Sequence, residues 1–284
     1  MPAPTTCQLA LQDAQALGLD RLDAQLLLLH ALGRPDSDRA WLLAHGDDAL
    51  EETAAAAFRA LTLRRSAGEP LAYNVGSKEF FGLRLKVDSR VLVPRPDTET
   101  LVEWMLEILS GQDASATPRI LDLGTGSGAI ALAVAHTLLA AGRAARVEAV
   151  DASADALAVA AGNARDLKLD VQCTLSNWLE KVSGHFHLIA SNPPYIASQD
   201  AHLAALTHEP LQALASGPDG LGDLRTIIQN APGHLEPGGW LLLEHGYDQA
   251  VAVRELLATR GFGQVQSRDD LAGIARCSGG QWPA

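Results

Sequence analysis

Basic residues are in short supply: 22 Lys and Arg stand against 34 Asp and Glu, a formal net charge of −12 over 284 residues. A protein that binds mainly to nucleic-acid phosphates needs the opposite balance, so that partner is disfavoured and a cationic or protein partner is favoured. Cysteine is scarce too. Cys7, Cys173 and Cys277 are few, scattered and odd in number, which excludes a disulfide framework and points to a reducing compartment. None of them stands at metal-ligand spacing, and no metal site is expected. Long apolar runs are also missing: the longest, residues 129–141, is broken by His136 and Thr137 and is too short to span a bilayer. The opening Met1-Pro2-Ala3-Pro4-Thr5-Thr6 lacks the basic stretch of a secretory signal. Together these absences predict a cytoplasmic protein with no membrane partner.

What is present is a 47% hydrophobic composition, enough for a sizeable core, in a length that suits two domains of about 100 to 200 residues. Residues 5–66 carry helical spacing, with Leu22, Leu26 and Leu29 opposite Asp20, Arg21 and Asp23, and again over 49–65. At Glu69-Pro70 the pattern changes. Leu83, Leu85 and Val87 alternate with Arg84, Lys86 and Asp88 at the period of a half-buried strand, so a β-hairpin connector fits 71–94. After Pro94-Arg95-Pro96 a helical segment at 98–109 precedes short apolar strands at 120–121, 147–150, 171–175, 188–190 and 240–243, separated by helices. That alternation predicts an α/β fold with a mostly parallel sheet covered on both faces.

Two loops carry chemistry. Asn192-Pro193-Pro194-Tyr195 follows the apolar strand Leu188-Ile189-Ala190 and suits one group, a planar NH2. Such a nitrogen is a poor nucleophile because its lone pair is delocalised; acceptors that hold both hydrogens leave the lone-pair axis open to an electrophile. The Asn192 side-chain carbonyl and the Pro193 main-chain carbonyl can each take one hydrogen. The two prolines restrict Asn192 and Pro193 in advance, and Tyr195 adds a flat wall. A plain strand-terminal turn is the competing reading. The second loop, Gly124-Thr125-Gly126-Ser127-Gly128, follows Ile120-Leu121-Asp122-Leu123 and leads into a helix, where α/β sheets seat nucleotide-type ligands. With Ala129 counted the loop also satisfies a dinucleotide pattern, and Asp151 suits a ribose in either case. Asp122 and the acidic chain suit a cationic sulfonium better than a pyrophosphate, and no Lys-Ser/Thr follows the glycines as a phosphate-binding P-loop requires.

The combination of motifs resembles the PrmC/HemK release factor glutamine methyltransferases over nearly the whole chain. The stretches that carry the resemblance are Pro70-Leu71-Ala72-Tyr73, Glu79-Phe80-Phe81-Gly82, residues 91–99, residues 122–132, Asp151, residues 191–196, Glu209-Pro210, Asp219-Gly220-Leu221, Glu244-His245-Gly246 and residues 270–273. The resemblance implies an N-terminal helical substrate-recognition domain (1–69), a β-hairpin connector (70–94) and a seven-stranded, Rossmann-like methyltransferase domain (95–284). It implies S-adenosylmethionine as cofactor, with S-adenosylhomocysteine as product, and as substrate the glutamine amide of the Gly-Gly-Gln tip of class 1 peptide chain release factors. Carried over residue by residue, Asp122, Gly124, Thr125, Gly126, Ser127 and Gly128 would hold the methionine end of the cofactor, Asp151 the ribose and Trp178 the adenine. Asn192 would touch both cofactor and substrate, with Pro193, Pro194 and Tyr195 around the glutamine. Ser176-Asn177-Trp178 departs from the family's common Gly-Asp-Trp and lacks its charge.

Several features stay open at this level. His185 and His187 read as strand-entry residues, Glu244-His245 as a strand end, and Arg95 either as part of the cofactor mouth or as a helix start. The near-terminal Gly279-Gly280-Gln281 repeats the presumed substrate's tripeptide, as a pseudosubstrate tail or by coincidence. Two rival functions remain: an amino-methyltransferase acting on adenine, disfavoured because it needs a basic groove, and a non-catalytic cofactor-binding protein, disfavoured by the intact Asn192 and glycines.

Overall fold

The first helices start where the sequence offers an oxygen-bearing cap. Thr6 Oγ1 accepts from Leu9 N at 3.3 Å at the head of α1 (Cys7–Ala16), and Asp20 Oδ1 accepts from Asp23 N at 2.8 Å at the head of α2 (Arg21–Ala31), each cap contributing about 1 kcal/mol. The computed structural model describes residues 5–113 and 116–284; residues 1–4 of the expected helical domain lie outside the described residues. Contacts divide the chain into two units between Ser77 and Lys78.

The first unit holds α1 and α2 together with α3 (Arg39–Ala44), α4 (Glu52–Ser66) and α5 (Leu71–Val75). Its core gathers Ala10, Ala14, Ala24, Leu27, Leu28, Leu42 and Phe58. The buried residues of α2 are Ala24, Leu27, Leu28 and Leu29, so of the expected stripe Leu29 is in the core while Leu26 is half-buried and Leu22 is exposed. Four consecutive leucines leave the facing side undetermined by periodicity; alongside this packing, Arg65 Nε of α4 meets Asp23 Oδ2 at 2.6 Å. Residues 71–75 are helical where an extended connector was expected. Pro70 opens this turn, Asn74 Nδ2 donates back to Pro70 O at 3.0 Å, and Gly76 closes it at φ +72°.

The hairpin is correspondingly shorter, β1 (Ser77–Phe80) and β2 (Leu83–Lys86), turned by Phe81 and Gly82, both at positive φ, as two-residue hairpin loops require. The rest of the second unit alternates in the expected way: α6 (Glu99–Ser110), β3 (Arg119–Leu123), α7 (Ala129–Ala140), β4 (Arg146–Asp151), α8 (Ala154–Leu167), β5 (Val171–Leu175), β6 (Phe186–Ser191), α9 (Gly222–Asn230), β7 (Leu235–Glu244), α10 (Ala250–Arg260), β8 (Gly263–Asp269) and β9 (Ala275–Gln281). The seven strands lie in the order β5-β4-β3-β6-β7-β9-β8. The first five are parallel and β9 runs antiparallel to both its neighbours. Ile120 and Leu188 pack on one face with Leu101, Met105 and Leu132; Leu121 and Ile189 pack on the other with Ile227 and Val253. From β3 the chain steps outward to β4 and β5, then returns to lay β6 on the opposite side of β3. Ligands of open α/β sheets bind at the carboxyl ends of strands where the order reverses in this way. Among the described residues no helix is long and apolar enough to cross a membrane.

Gly279-Gly280-Gln281 is no tail. It forms the end of β9, with Gly279 opposite Leu242 of β7, and the glycines are there for space. A Cβ on Gly279 would press on the Leu242 side chain and lie 2.7 Å from Leu241 O and 3.0 Å from the Trp104 ring. Gly279→Ala should therefore destabilise the protein by about 1 to 3 kcal/mol, the usual cost of overpacking, read as a lower denaturation midpoint; unchanged stability would contradict this packing.

Candidate active site

The site begins at a buried hydrogen bond. Ser191, the last residue of β6, donates from Oγ to Leu123 O, the last residue of β3, at 2.7 Å, and Leu123 and Ser191 are register partners. Gly124 and Asn192 thus leave the sheet side by side. Gly124, Gly126 and Gly128 sit at φ +70°, +56° and +86°, a backbone path that side chains with a Cβ rarely follow. Asp122 supports this path from beneath. It is fully buried and its Oδ2 accepts from Thr125 Oγ1 at 2.6 Å and from Ala131 N at 3.3 Å. Burial pushes its carboxyl up to about 7. At the end of β4, Asp151 Oδ2 accepts from Gly126 N and Oδ1 from Ser153 N, both at 2.9 Å.

A cleft opens above these strand ends. Of the residues singled out from sequence, Gly124, Gly126, Asp151, Trp178, Asn192 and Pro194 line it. Asp122, Thr125 and Ser127 are buried behind the loop and do not line the cleft, and neither does Gly128, whose missing Cβ makes room for Leu132 of α7. Trp178 is held in a left-handed conformation, φ +47°. Its Nε1 donates to Asp223 Oδ1 at 3.0 Å, and its ring lies where a Cβ on Gly124 would sit at 3.2 Å, so glycine is required there by the tryptophan as well as by the turn. Asn177 lines the cleft beside it and donates to Glu180 Oε1 at 2.6 Å.

Asn192 faces two cavities. It lines the cleft and also a smaller cavity shared with Tyr195, Arg95, Leu92 and Leu214. Its Nδ2 donates to Thr98 Oγ1 at 3.2 Å, which turns the side-chain carbonyl away from that partner. Tyr195 reaches down to Glu244 Oε1 at 3.4 Å, and burial together with the Glu244 charge raises its phenol above the ordinary tyrosine range. Glu244 is itself pushed up to about 7, mainly by burial. Arg95 precedes the short helical turn at Pro96–Thr98, the helix-start reading, and lines the smaller cavity rather than the glycine-loop cleft, paired with Glu209 Oε1 at 2.5 Å. Glu209 Oε2 also takes Val93 N at 3.0 Å, which fastens the segment before α6 to the Glu209-Pro210 turn. His187 accepts from Arg119 N at 3.1 Å. His245 is buried between Gly246 O and Ser278 Oγ, at 2.9 and 2.7 Å, with its pKa lowered by burial. Both are structural.

Thr98, Asp223 and Glu244 were not picked out as site residues, although each holds one that was. Thr98 and Glu244 stand inside motifs, Pro94–Glu99 and Glu244–Gly246, which was the available signal; Asp223 had none, since its partner lies 45 residues away.

The donor set fits S-adenosylmethionine. Each Asp151 oxygen accepts one backbone N–H and keeps a lone pair for a ribose hydroxyl. The bare backbone of Gly124 and Gly126 admits close approach, and the Trp178 ring and the polar Asn177 supply an apolar surface with a polar edge.

The family model described as PrmC N-terminal domain matches residues 5–76, and the one described as methyltransferase small domain matches 98–225. A release factor glutamine methyltransferase of Bordetella pertussis is 52% identical over 93% of this chain and 95% of its own length, and one of Xylella fastidiosa is 47% identical over 100% and 99%. Among solved structures, a methyltransferase from Pyrococcus furiosus superposes with a TM-score of 0.54 at 19% identity, covering 80% of this chain and 98% of that one, a likeness of fold. With both family models matched and such identity across nearly its full length, the chain belongs to the release factor glutamine methyltransferase family and is an S-adenosylmethionine-dependent methyltransferase.

Proposed function

We propose that this enzyme methylates the side-chain amide nitrogen of the glutamine in the Gly-Gly-Gln motif of class 1 peptide chain release factors, by direct in-line transfer, in the cytoplasm. The observation that carries the reading is that Asn192 lines both the glycine-loop cleft and the adjoining smaller cavity, so one side chain can touch the donor on one side and the acceptor on the other. The relatives' name, release factor glutamine methyltransferase, supports the substrate. The net charge of −12 supports a protein substrate without direct nucleic-acid binding.

When bound, S-adenosylmethionine supplies a methyl group made electrophilic by the sulfonium and leaves as S-adenosylhomocysteine. Gly124 and Gly126 give it close backbone contact, Asp151 takes its ribose and Trp178 its adenine, while Asp122, Thr125, Ser127 and Gly128 keep the loop in shape. Asn192 Oδ1 and Pro193 O each accept one hydrogen of the glutamine NH2. Pro194 and Tyr195 wall the side chain. A resting amide is far too weak an acid to be deprotonated first by an ordinary side chain, so the proton leaves during or after transfer, when the nitrogen has become strongly acidic. Positioning therefore supplies most of the acceleration. The helical first unit supplies the surface that docks the release factor.

Labelled S-adenosylmethionine should mark a class 1 release factor and leave unmarked the same factor with its Gly-Gly-Gln glutamine replaced by alanine; equal label on both would refute the substrate assignment. Asn192→Ala should lower kcat by on the order of 10² or more, by analogy with loss of one aimed transition-state hydrogen bond, while cofactor affinity measured by calorimetry falls much less. Near-normal turnover of that variant would remove Asn192 from the mechanism.

A further inference from the structure

Among the described residues, three line both the glycine-loop cleft and the smaller cavity: Asn192, Leu92 and Ala213. With donor and acceptor placed as proposed above, the methyl group passes between these three. Asn192 supplies the polar side. Leu92 and Ala213 are apolar, offer no competing side-chain hydrogen bond and keep water from the gap. Asn192 directly follows β6 and inherits its place from the sheet. The other two do not: Leu92 lies between β2 and α6, and Ala213 between β6 and α9, on stretches outside the sheet.

Glu209 joins those two stretches. Its side chain is 2% exposed and lines neither cavity. On one side Oε2 accepts from Val93 N, the residue after Leu92, at 3.0 Å, and Oε1 accepts from Arg95 Nη2 at 2.5 Å. On the other, Pro210 opens a short helical turn in which Ala213 N donates to Pro210 O at 2.9 Å, so Ala213 stands one turn from the carboxylate. Just beyond it Ile196 N donates to Leu214 O at 2.9 Å, which binds the turn to the Asn192 loop. Val93 is buried, and an N–H left there without an acceptor is costly. Without the carboxylate the stretch has to shift until water reaches that donor, and Leu92 moves with it. Arg95, with its side chain 38% exposed, can turn to solvent instead.

We propose that Glu209 is a positioning residue that sets the passage between cofactor and acceptor: by holding Val93 N and the Pro210 turn together, it keeps Leu92 and Ala213 in place against Asn192. The inference rests on the reading that the cofactor fills the cleft and the glutamine amide the smaller cavity. Glu209 touches neither, so its effect is on alignment and belongs in kcat.

The test uses the full-length enzyme with Glu209→Leu, Glu209→Gln, Glu209→Asp and Asn192→Ala. Glu209→Leu should lower kcat by about 10- to 100-fold, the scale of misplaced reacting groups, while calorimetry finds the parental number of cofactor sites and KM for the release factor is unchanged. Glu209→Gln, which has the length to offer Val93 N a carbonyl, should recover most of the loss. Glu209→Asp keeps the charge but is one methylene too short to hold both contacts, and should recover less than Glu209→Gln. If Glu209→Leu does not fold, the order of the last two decides. Glu209→Asp more active than Glu209→Gln would show that charge rather than reach matters, and would overturn the positioning role. So would a loss confined to KM. Parental kcat in a folded Glu209→Leu enzyme, beside an impaired Asn192→Ala enzyme, would overturn the inference and leave the reading of the site standing. Parental kcat in Asn192→Ala would overturn that reading and the inference with it.

Discussion

Everything at this site depends on the hydrogen bond from Ser191 Oγ to Leu123 O, 2.7 Å long and closed to solvent. A single such bond contributes only about 1 kcal/mol. Its importance is in where it falls: it joins the last residues of β3 and β6, the two strands between which the sheet changes direction. Because both strands are buried on both faces, a slip in register would turn core side chains the wrong way. The glycine loop and the Asn192 loop therefore start from fixed, adjacent points, and the methyl donor and the amide acceptor inherit that geometry.

Two buried carboxylates carry out similar work on the two loops. Asp122 gathers the Thr125 hydroxyl and the Ala131 N–H, shaping the glycine loop from below. Glu244 sits under the Asn192 loop, within reach of Tyr195. Burial raises both to about 7, a sign that desolvation is costly at each and that the surrounding donors only partly offset it. Trp178 repeats the pattern without charge of its own: its unusual backbone, φ +47°, persists because Asp223 and the Gly124 turn hold the indole from two sides. Rigidity suits a reaction whose main obstacle is aiming a poor nucleophile.

What could be read from the chain was what is local. Short apolar runs bounded by turns marked β3 to β7, and Gly124–Gly128 and Asn192–Tyr195 are contiguous, so both loops stood out along the chain, and the fold brings them to neighbouring strand ends. The buried face of α2 was read only in part, Leu29 correctly and Leu22 and Leu26 not, because Leu26 to Leu29 give no periodicity and α4, which packs against this helix, lies far along the chain. Residues 71–75 were read as extended although Pro70 and Gly76 frame a helical turn. β9 was hidden by Ser278-Gly279-Gly280, residues poor in strand propensity that are selected by the closeness of Trp104, Leu241 and Leu242. The same limit hid the supporting residues of the site. Thr98 meets Asn192 across 94 residues and Glu244 meets Tyr195 across 49, and no pattern along the chain announces such pairings.

The central claim is that the methyl group goes to a neutral amide nitrogen held by two carbonyl acceptors. Its most direct test is to locate the methyl in release factor modified by this enzyme, by fragmenting the tryptic peptide in a mass spectrometer and by acid hydrolysis. The account predicts a single methyl on the side-chain nitrogen of the Gly-Gly-Gln glutamine, released by acid as methylamine. A base-labile methyl ester, or a methyl on any other side chain of the peptide, would contradict it.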